Sequence, residues 1–188
     1  MKLRDAIENR ADVKRFDLKK PDWRKVVRAI DAARFASSAG NHFAARFILV
    51  DDEKIIDKLG ESCQQNFIKG AKCVVVVVSD PSGLVRSYNE RGESYCKLQA
   101  GAAIQNFLLA LEDEGLVSSW VWYFDDDEVR RFLDVPDNAN VEGVFPIGRK
   151  TKIMGIKNRV AKLENVLFFG KYGEKKMRPK VKVSRDSV

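Results

Sequence analysis

The stretch CVVVVVSD, residues 73–80, constrains the fold more than any other part of the chain. Five consecutive valines leave the segment without a polar face, and this pattern is typical of a strand that is buried on both faces of a sheet. The chain has 188 residues, of which 45% are hydrophobic and 32% are charged. It is therefore globular and long enough to build a core around such a strand within one domain of ordinary size.

Helical and strand-like patterns alternate along the rest of the chain. Apolar residues recur at helical spacing in 21–36, and Pro21 is predicted to occupy the first helical position. Further helices are predicted over residues 1–10, 52–63, 95–116 and 125–135. Strands are predicted over residues 45–52, 73–80, 118–124 and 141–148. Helices outnumber strands around one central sheet, which predicts an α+β arrangement.

The longest helix candidate spans residues 95–116 and is rich in alanine. Its apolar residues extend almost all the way round, which favours a central, buried helix. Gly115 is predicted to end this helix. The preceding segment 81–94, PSGLVRSYNERGES, is predicted to be a loop, and long loops in compact domains are often functional.

Several common catalytic signatures are missing. The three cysteines, Cys63, Cys73 and Cys96, form no CxxC pair, so they are predicted to be reduced and mostly buried thiols. His42 is the one histidine, and no HExxH, GxGxxG, GxxxxGK[ST] or GxSxG motif occurs. The acidic run 125–128 is predicted to interact with a helix dipole rather than to hold a metal. No side chain is predicted to be catalytic, so an enzymatic activity would depend on a bound cofactor.

Positive charge is concentrated near the C-terminus. Residues 149–188 carry 13 lysines and arginines against three acidic residues, a local net charge of +10, whereas the first 148 residues carry −3. A basic arm of this kind favours an anionic partner, which is a nucleic acid, a membrane surface or a cofactor with a phosphate. The sequence has neither a run of about 18 apolar residues nor an apolar signal-peptide core. We therefore expect a cytoplasmic protein.

A smaller cluster of charge follows the first helix, in the segment RADVKRF, residues 10–16. Arg10 and Lys14 lie four residues apart, so their side chains can converge on one phosphate through charge-assisted hydrogen bonds. The alternative is an ordinary solvated face. Asp12 between them cannot donate a hydrogen bond to a phosphate while it is ionised.

Four more segments complete a recognisable series, and with RADVKRF they resemble the nitroreductase family of flavin-dependent oxidoreductases. They are ASSAGNHFAARFILV (36–50), CQQNFIKGAKCVVVVVSD (63–80), LQAGAAIQNFLLALEDEGLVSSWVWYF (98–124) and KIMGIKNRVAKLENVLFFGKYG (152–173). The resemblance covers roughly residues 3–173. It implies an α+β fold with a central mixed sheet flanked by helices, a long buried central helix, and a homodimer with two FMN sites at the subunit interface. Residues 1–173 would form one FMN-binding domain, followed by a basic tail, 174–188.

The resemblance also implies a set of cofactor contacts. Arg10 and Lys14 would form one half of a phosphate clamp, and Lys157 with Arg159 the other half. Asp12 replaces the family's serine and would orient the basic groups or accept a ribityl hydroxyl. The complete implied set is Arg10, Ala11, Asp12, Lys14, Ser37, Ser38, Ala39, Asn41, Gln65, Gln99, Trp122, Tyr123, Lys157 and Arg159.

Besides Asp12, this chain departs from the family pattern at two places. Phe43, Ala44 and Ala45 replace the usual Gln-Pro-Trp. Trp122 stands near a position that is glycine in many members, where a backbone N–H approaches flavin N5. Its indole would stack over the flavin, narrow the nicotinamide and substrate pocket, or belong to the core or dimer interface.

The implied activity is FMN-dependent reduction of nitroaromatic, quinone or similar acceptors with NADH or NADPH. Hydride would pass through flavin N5 in a ping-pong cycle. One alternative is an atypical flavoprotein of the same fold with a different substrate, such as a dehalogenating enzyme. Another is a nucleic-acid-binding protein that uses the basic arm with its interleaved Phe168, Phe169 and Tyr172. The match of the arm to the family's ending argues against that alternative.

Overall fold

The valine run forms an inner strand of a four-stranded sheet. The computed structural model describes residues 1–17, 19–151 and 160–177. Its strands are β1 (Ala45–Val50), β2 (Cys73–Ser79), β3 (Leu116–Ser118) and β4 (Asn140–Arg149). Their order across the sheet is β1-β2-β4-β3, so that β2 and β4 are central.

Helices cover this sheet within the first of two compact units into which the chain divides, at the boundary between residues 157 and 158. They are α1 (Leu3–Asn9), α2 (Trp23–Ala33), α3 (Glu53–Ser62), α4 (Ser82–Tyr88), α5 (Arg91–Asp113) and α6 (Asp126–Leu133). Among its described residues, the second unit contains the short helix α7 (Leu163–Val166). The assignment of residues 1–173 to one FMN-binding domain stays a prediction.

The valines of β2 separate two layers of core. All seven residues of β2 are buried. Val75 and Val77 lie in a hydrophobic cluster with side chains of α2 and α5. Val74 and Val76 lie in a second cluster with side chains of α3 and α6. Side chains alternate between the two faces of a strand, so an uninterrupted valine run provides apolar contacts to both helical layers. The predicted α+β architecture and the doubly buried strand are confirmed.

The pairing of the sheet is simpler than the expected mixed arrangement. β2 pairs antiparallel with β1 and with β4, and β3 pairs antiparallel with β4. Parallel pairing among the described residues is limited to one isolated bridge between Asp12 and Ser118. The mixed character thus comes from the segment after α1, which joins the edge of the sheet without forming a strand.

The strand predicted over 118–124 is wrong for most of its length. β3 ends at Ser118, and the backbone rejoins the sheet only through an isolated bridge between Val121 and Val144. The Trp120 side chain donates from Nε1 to the backbone carbonyl of Glu142 at 3.1 Å. The Glu142 carbonyl of β4 thus accepts from a side chain rather than from the backbone N–H of a neighbouring strand. The aromatic run therefore forms an irregular segment.

The loop predicted over 81–94 is also wrong, because α4 and the first turn of α5 occupy it. Asp80 Oδ1 accepts from the Ser82 N–H at 2.9 Å, and Asn89 breaks the helical path with φ 49°. Gly92 then lets α5 begin directly against α4. A Cβ at Gly92 would lie 2.5 Å from Val85 Cα, which is too close for any other residue without movement.

Two further helix ends refine the sequence analysis. Pro21 does not open α2, because Asp22 is the N-cap and its side chain accepts from the Arg24 N–H at 3.0 Å. Gly115 follows the end of α5 with φ 71°, as predicted. α5 itself begins four residues earlier than residue 95, the predicted start. None of the described helices has the length and apolarity needed to cross a bilayer.

Candidate functional site

The basic turn after α1 is fastened to the edge of the sheet. The Val13 N–H donates to the Ser118 carbonyl at 3.2 Å, beside the bridge between Asp12 and Ser118. Arg10 Nη1 lies 3.6 Å from Asp12 Oδ1, and the Arg10 side chain is only 15% exposed. Asp12 therefore restrains the guanidinium of Arg10, as one of the two expected roles of this acid requires. Ala11 between them is half-buried.

Lys14 connects this turn to the segment that follows α3. Its Nζ lies 5.3 Å from the centre of the Phe67 ring, and Phe16 contacts the same ring at 6.4 Å between centroids. Phe67 belongs to the short 3-10 helix Asn66–Gly70, which immediately follows the half-buried Gln65. Lys14 and Gln65 therefore lie on segments that contact each other, although they are far apart in the sequence.

The aromatic segment after β3 begins at the basic turn and ends near Gln65. It begins at Ser118, next to Asp12, and at its other end the Asp125 N–H donates to the Ser62 carbonyl at 3.0 Å. Trp122 and Tyr123 lie between these attachments with 70% and 64% exposure. We call these six residues the basic-turn group: Arg10, Asp12, Lys14, Gln65, Trp122 and Tyr123.

A second group lines a cavity of about 370 Å³ between the end of α2 and the middle of α5. Its lining residues are Ser37, Ser38, Ala39, Tyr95, Leu98, Gln99 and Ala102. Four of these, Ser37, Ser38, Ala39 and Gln99, belong to the set implied by the family resemblance, and we call them the cavity group. No member of the basic-turn group lines this cavity.

The backbone beside the cavity turns sharply. Gly40 and Asn41 have φ values of 55° and 60°, in the left-handed region. A Cβ at Gly40 would lie 2.6 Å from Tyr88 Oη, so glycine is required both for the turn and for this contact. Asn41 itself is exposed and does not line the cavity. The contact of Asn41 with the cofactor thus stays a prediction.

Gln99 carries the most informative polar group of the cavity. The residue is 5% exposed, and neither its amide nitrogen nor its amide oxygen has a hydrogen-bond partner among the described residues. A buried polar group without a partner destabilises the fold by about 1–3 kcal/mol, so such groups in native proteins require an explanation. A ligand that offers both a donor and an acceptor would satisfy this amide.

Sequence reasoning missed two aromatic contributors. Tyr95 lines the cavity and precedes Gln99 by four residues on α5, so helical spacing places the two side chains on one face. Its ring also packs edge-on against Tyr88 of α4, with 5.2 Å between centroids. The helical period could have identified Tyr95, whereas Tyr88 lies in the segment that was predicted to be a loop.

The cysteines do not contribute a nucleophile. Cys63, Cys73 and Cys96 are free and buried, as predicted. Burial raises the pKa of the Cys63 thiol to about 12 and that of Cys73 to about 11. Burial also raises the pKa of Cys96. These three side chains therefore remain protonated at neutral pH, and a thiol is a poor nucleophile and metal ligand.

Metal chemistry has no support from the described part of the chain, where no group of three His, Cys, Asp or Glu side chains is placed to hold an ion. The acidic run instead begins α6, as predicted. Asp125 caps the helix by accepting from the Glu128 N–H at 3.0 Å. Lys157 and Arg159, the other half of the expected phosphate clamp, lie outside the described residues.

The second unit contains the aromatic residues that motivated the nucleic-acid alternative. Phe168 and Tyr172 pack with 4.7 Å between ring centroids, and Lys175 Nζ lies 4.4 Å from the centre of the Phe168 ring. The exposed fraction of Tyr172 is 94%. Lys175 Nζ also donates a hydrogen bond to the Glu164 carbonyl, so this ammonium group already has a partner within the second unit.

Known proteins resemble this chain over most of its length. It is 24% identical over 172 residues to the iodotyrosine deiodinase of Thermotoga neapolitana, covering 78% of this chain and 87% of that protein. The NADPH:FMN oxidoreductase of Vibrio harveyi, solved with NAD⁺, superposes with a TM-score of 0.79 at 19% identity, covering 92% of this chain and 78% of that one. The FMN-dependent nitroreductase of Clostridium difficile R20291 gives a TM-score of 0.74 at 20% identity, covering 90% and 99%.

These two structural similarities show a shared fold. The sequence pattern of the nitroreductase family matches residues 7–70 and 61–149, and this match spans both groups of residues described above. The chain therefore belongs to the nitroreductase family.

Proposed function

We propose that this protein binds FMN and uses it to reduce small acceptors, such as nitroaromatics or quinones, with electrons from NADH or NADPH. The observation that carries the proposal is the buried amide of Gln99, which lines the cavity with Ser37 and Ser38 and has no hydrogen-bond partner in the described part of the chain. The family relation and the flavin-dependent neighbours support it. When bound, FMN supplies hydride transfer, from the nicotinamide to the cofactor and then to the acceptor in a ping-pong cycle.

The residues present fit such a cofactor. Its phosphate carries close to two negative charges, and Arg10 with Lys14 offers two cations on one fastened turn. Lys157 and Arg159 would add two more. The Gln99 amide matches a polar ring edge that both donates and accepts hydrogen bonds. Ala11, Asp12, Asn41, Gln65 and Tyr123 complete the proposed binding set.

In this proposal the protein binds, orients and shields, and no side chain transfers a proton in the first half-reaction. The restrained Arg10 guanidinium would bind the phosphate without large reorganisation. Gln65 is half-buried on the segment that Lys14 contacts through Phe67, so its amide would bind the same cofactor. The cysteine thiols stay buried and protonated and take no part.

We also propose that the active form is a homodimer. No member of the basic-turn group lines the cavity that holds the cavity group, so two copies could each contribute one group to a shared site. Exposed apolar side chains near the cavity support this arrangement, with Leu98 71% and Phe35 78% exposed. Sedimentation of the purified protein should give the mass of a dimer, and a monomer that retains FMN and turns over would contradict this part.

The first test is the visible absorption spectrum of the native protein, followed by release and identification of the chromophore. We expect a flavin spectrum and FMN on denaturation. Arg10→Ala should weaken FMN binding by about tenfold to a hundredfold, the effect of losing a charge-assisted contact. Arg4→Ala is the matched control, because Arg4 is 86% exposed on α1 and pairs only locally with Glu8 in the described contacts. A colourless protein that takes up no added FMN would contradict the proposal.

A second activity is favoured by one observation, the similarity to an iodotyrosine deiodinase. The alternative is reductive removal of halogen from an aromatic substrate by the same cofactor. Reduced holoprotein should be incubated anaerobically with a halogenated phenol and with a nitroaromatic. Halide release without reduction of the nitro compound would favour the alternative, whereas nitro reduction without halide release would favour the main proposal.

A further inference from the structure

A stacked pair of indoles stands on the irregular segment of the basic-turn group. Trp120 and Trp122 lie with 4.0 Å between ring centroids and 16° between ring planes. They flank Val121, which is locked to Val144 by backbone hydrogen bonds of 3.0 and 3.2 Å. In extended backbone, residues two apart point to the same side, so this lock places the two rings on one face.

The inner indole is held rigidly by a bulge in β4. The register of β4 against β2 shifts between Val77 and Val78, which leaves Glu142 as the extra residue. The Glu142 carbonyl accepts from Trp120 Nε1 at 3.1 Å, and its carboxylate accepts from the buried Ser79 hydroxyl at 2.5 Å. Both ends of the bulged residue are therefore fixed.

Gly143 makes room for the inner indole. A Cβ at this position would overlap Trp120 Nε1 and would lie 2.7 Å from Trp120 Cδ1. Phe145 contacts the same indole, with 5.5 Å between centroids. Trp120 is thus enclosed by a hydrogen bond, a glycine and an aromatic ring, whereas Trp122 on top of it is 70% exposed.

This arrangement leaves one face of a well-supported indole open beside the proposed cofactor site. An exposed indole that is held on a rigid support presents a flat apolar face, which is suited to bind another ring. The aromatic segment that holds Trp122 is attached at Ser118, beside Asp12, and at the Ser62 carbonyl. The exposed indole therefore lies next to the other residues of the basic-turn group.

We infer that Trp122 selects planar aromatic acceptors by stacking on them, and that the Glu142–Gly143 bulge acts as its positioning element through Trp120. This inference rests on the proposed function, because it names the substrate class of that same site. The sequence leaves three roles open for Trp122, and this inference assigns it the role of shaping the substrate pocket.

The test measures binding rather than turnover. Holoprotein without nicotinamide is titrated with 4-nitrobenzoate, and the dissociation constant is measured by equilibrium dialysis. Trp122→Ala should raise the dissociation constant about threefold to tenfold, the range of ring-stacking effects, and Trp122→Phe should restore most of the affinity. Trp23→Ala is the matched control, since Trp23 is an exposed indole on α2 that contacts Arg24.

The positioning role has a separate spectroscopic signature. Two stacked indoles give a coupled signal in the circular dichroism of the aromatic bands. Gly143→Ala should abolish that signal and weaken 4-nitrobenzoate binding, and the milder Trp120→Phe, which removes the donor to Glu142, should weaken the binding as well. If Gly143→Ala fails to fold, Trp120→Phe alone decides the matter.

The possible failures are distinguishable. An unchanged dissociation constant in folded, FMN-loaded Trp122→Ala would overturn the inference and leave the proposed function standing. A change from dimer to monomer with unchanged binding would show that a second copy covers Trp122, which also overturns it. Absence of FMN in the wild-type protein would contradict the proposed function, and binding of 4-nitrobenzoate to that protein independent of Trp122 would overturn the inference as well.

Discussion

At the scale of single residues, the proposed role of Gln99 links ligand binding to stability. Its amide is buried in the apolar middle of α5 and has no hydrogen-bond partner among the described residues. Hydrophobic neighbours such as Ala100 and Ala103 could not stabilise it. A residue that weakens the fold in this way is more easily explained by a bound ligand than by the core.

Replacement of Gln99 should therefore move stability and binding in opposite directions. Gln99→Leu removes two unpartnered polar atoms, so the free energy of unfolding of the FMN-free protein should rise by about 1–3 kcal/mol. FMN affinity should fall at least about tenfold, the loss expected when one or two hydrogen bonds disappear. Urea unfolding and FMN titration measure the two effects.

The matched control is Gln105→Leu, because Gln105 is an exposed glutamine on the same helix. It should change neither quantity appreciably. A Gln99→Leu protein that is less stable without FMN would show that the amide has a structural partner, and the ligand interpretation would fail.

At the scale of secondary-structure elements, the α4–α5 junction depends on one glycine. Gly92→Ala would place a methyl group 2.5 Å from Val85 Cα, and this neighbour is backbone that cannot rotate away. We expect a decrease in the free energy of unfolding of roughly 1–3 kcal/mol, as for overpacked cores. Thermal unfolding followed by circular dichroism measures it.

Gly101→Ala tests whether this effect is steric. Gly101 lies on the same helix, and a Cβ there would meet nothing within 4 Å. Alanine has the higher helix propensity, so this variant should be more stable by up to about 1 kcal/mol. Equal effects of the two substitutions would refute the steric explanation.

A second element-scale prediction concerns the contact between α2 and the end of α5. Arg28 Nε and Nη2 donate to the two carboxylate oxygens of Glu114 at 2.6 and 2.8 Å, and Lys25 Nζ donates to the Glu114 carbonyl at 2.6 Å. The hydrogen bond from Arg28 holds the pKa of Glu114 below its ordinary value of 4.5. The folded protein therefore binds this proton less readily than the unfolded chain does.

The sign of the pH effect follows from that direction. The contribution of Glu114 to stability is fully present above the unfolded pKa, near 4.5, and is lost as the pH falls through the lower folded pKa. Glu114→Gln should thus be less stable than the wild type at pH 7, and the difference should shrink below about pH 4.5. Urea unfolding across this range measures it.

Glu8→Gln is the control for the Glu114 prediction, because the pair of Glu8 with Arg4 lies within α1 and is exposed. It should have little effect at any pH. A Glu114→Gln difference that stays constant down to acid pH would contradict the assignment.

At the scale of the whole molecule, the basic residues near the C-terminus have two proposed uses, which are to bind the phosphate of the cofactor or to bind a nucleic acid. Removing the last part of the chain separates these two uses. Residues 174–188 carry part of the basic excess, and the clamp hypothesis does not need them. A protein that ends at residue 173 should keep its FMN, whereas Arg159→Ala in the full chain should weaken FMN binding. FMN released per chain measures both.

The nucleic-acid alternative is tested by measuring RNA and DNA binding of the same truncated protein at low salt. If truncation at residue 173 abolishes RNA or DNA binding while FMN content is unchanged, the tail has a separate electrostatic function. Loss of FMN on truncation would contradict the prediction that the cofactor domain ends before the tail.

Much of the fold could be predicted from local patterns. The valine run of β2, the acidic start of α6 and the Gly115 end of α5 could all be predicted, because burial on both faces, the helix dipole and left-handed backbone each favour few residue types. The segment 81–94 was misjudged because its Ser, Gly and Asn residues resemble a turn. Its helices are stabilised by tertiary contact, with Leu84 buried against the neighbouring elements.

The candidate site divides in the same way. Arg10, Lys14, Gln65 and Gln99 could be proposed from spacing and family resemblance, because the chemistry of a phosphate and of a polar ring edge restricts the side chains that would bind them. The spatial arrangement of these residues could not be predicted from the sequence. Lys14 contacts Phe67 and Asp12 pairs with Ser118 only when distant segments fold together.

The sequence by itself determined the layered α+β fold, because the fold follows local burial patterns, and it determined the family, because the family's motifs follow one another along the chain. Only the tertiary structure decided that Gln99 is buried with no hydrogen-bond partner among the described residues, that Gly92 joins two helices, and that Trp122 stacks on Trp120 above a bulge. Those properties are set by which surfaces meet across long sequence separations, and no local pattern records such contacts.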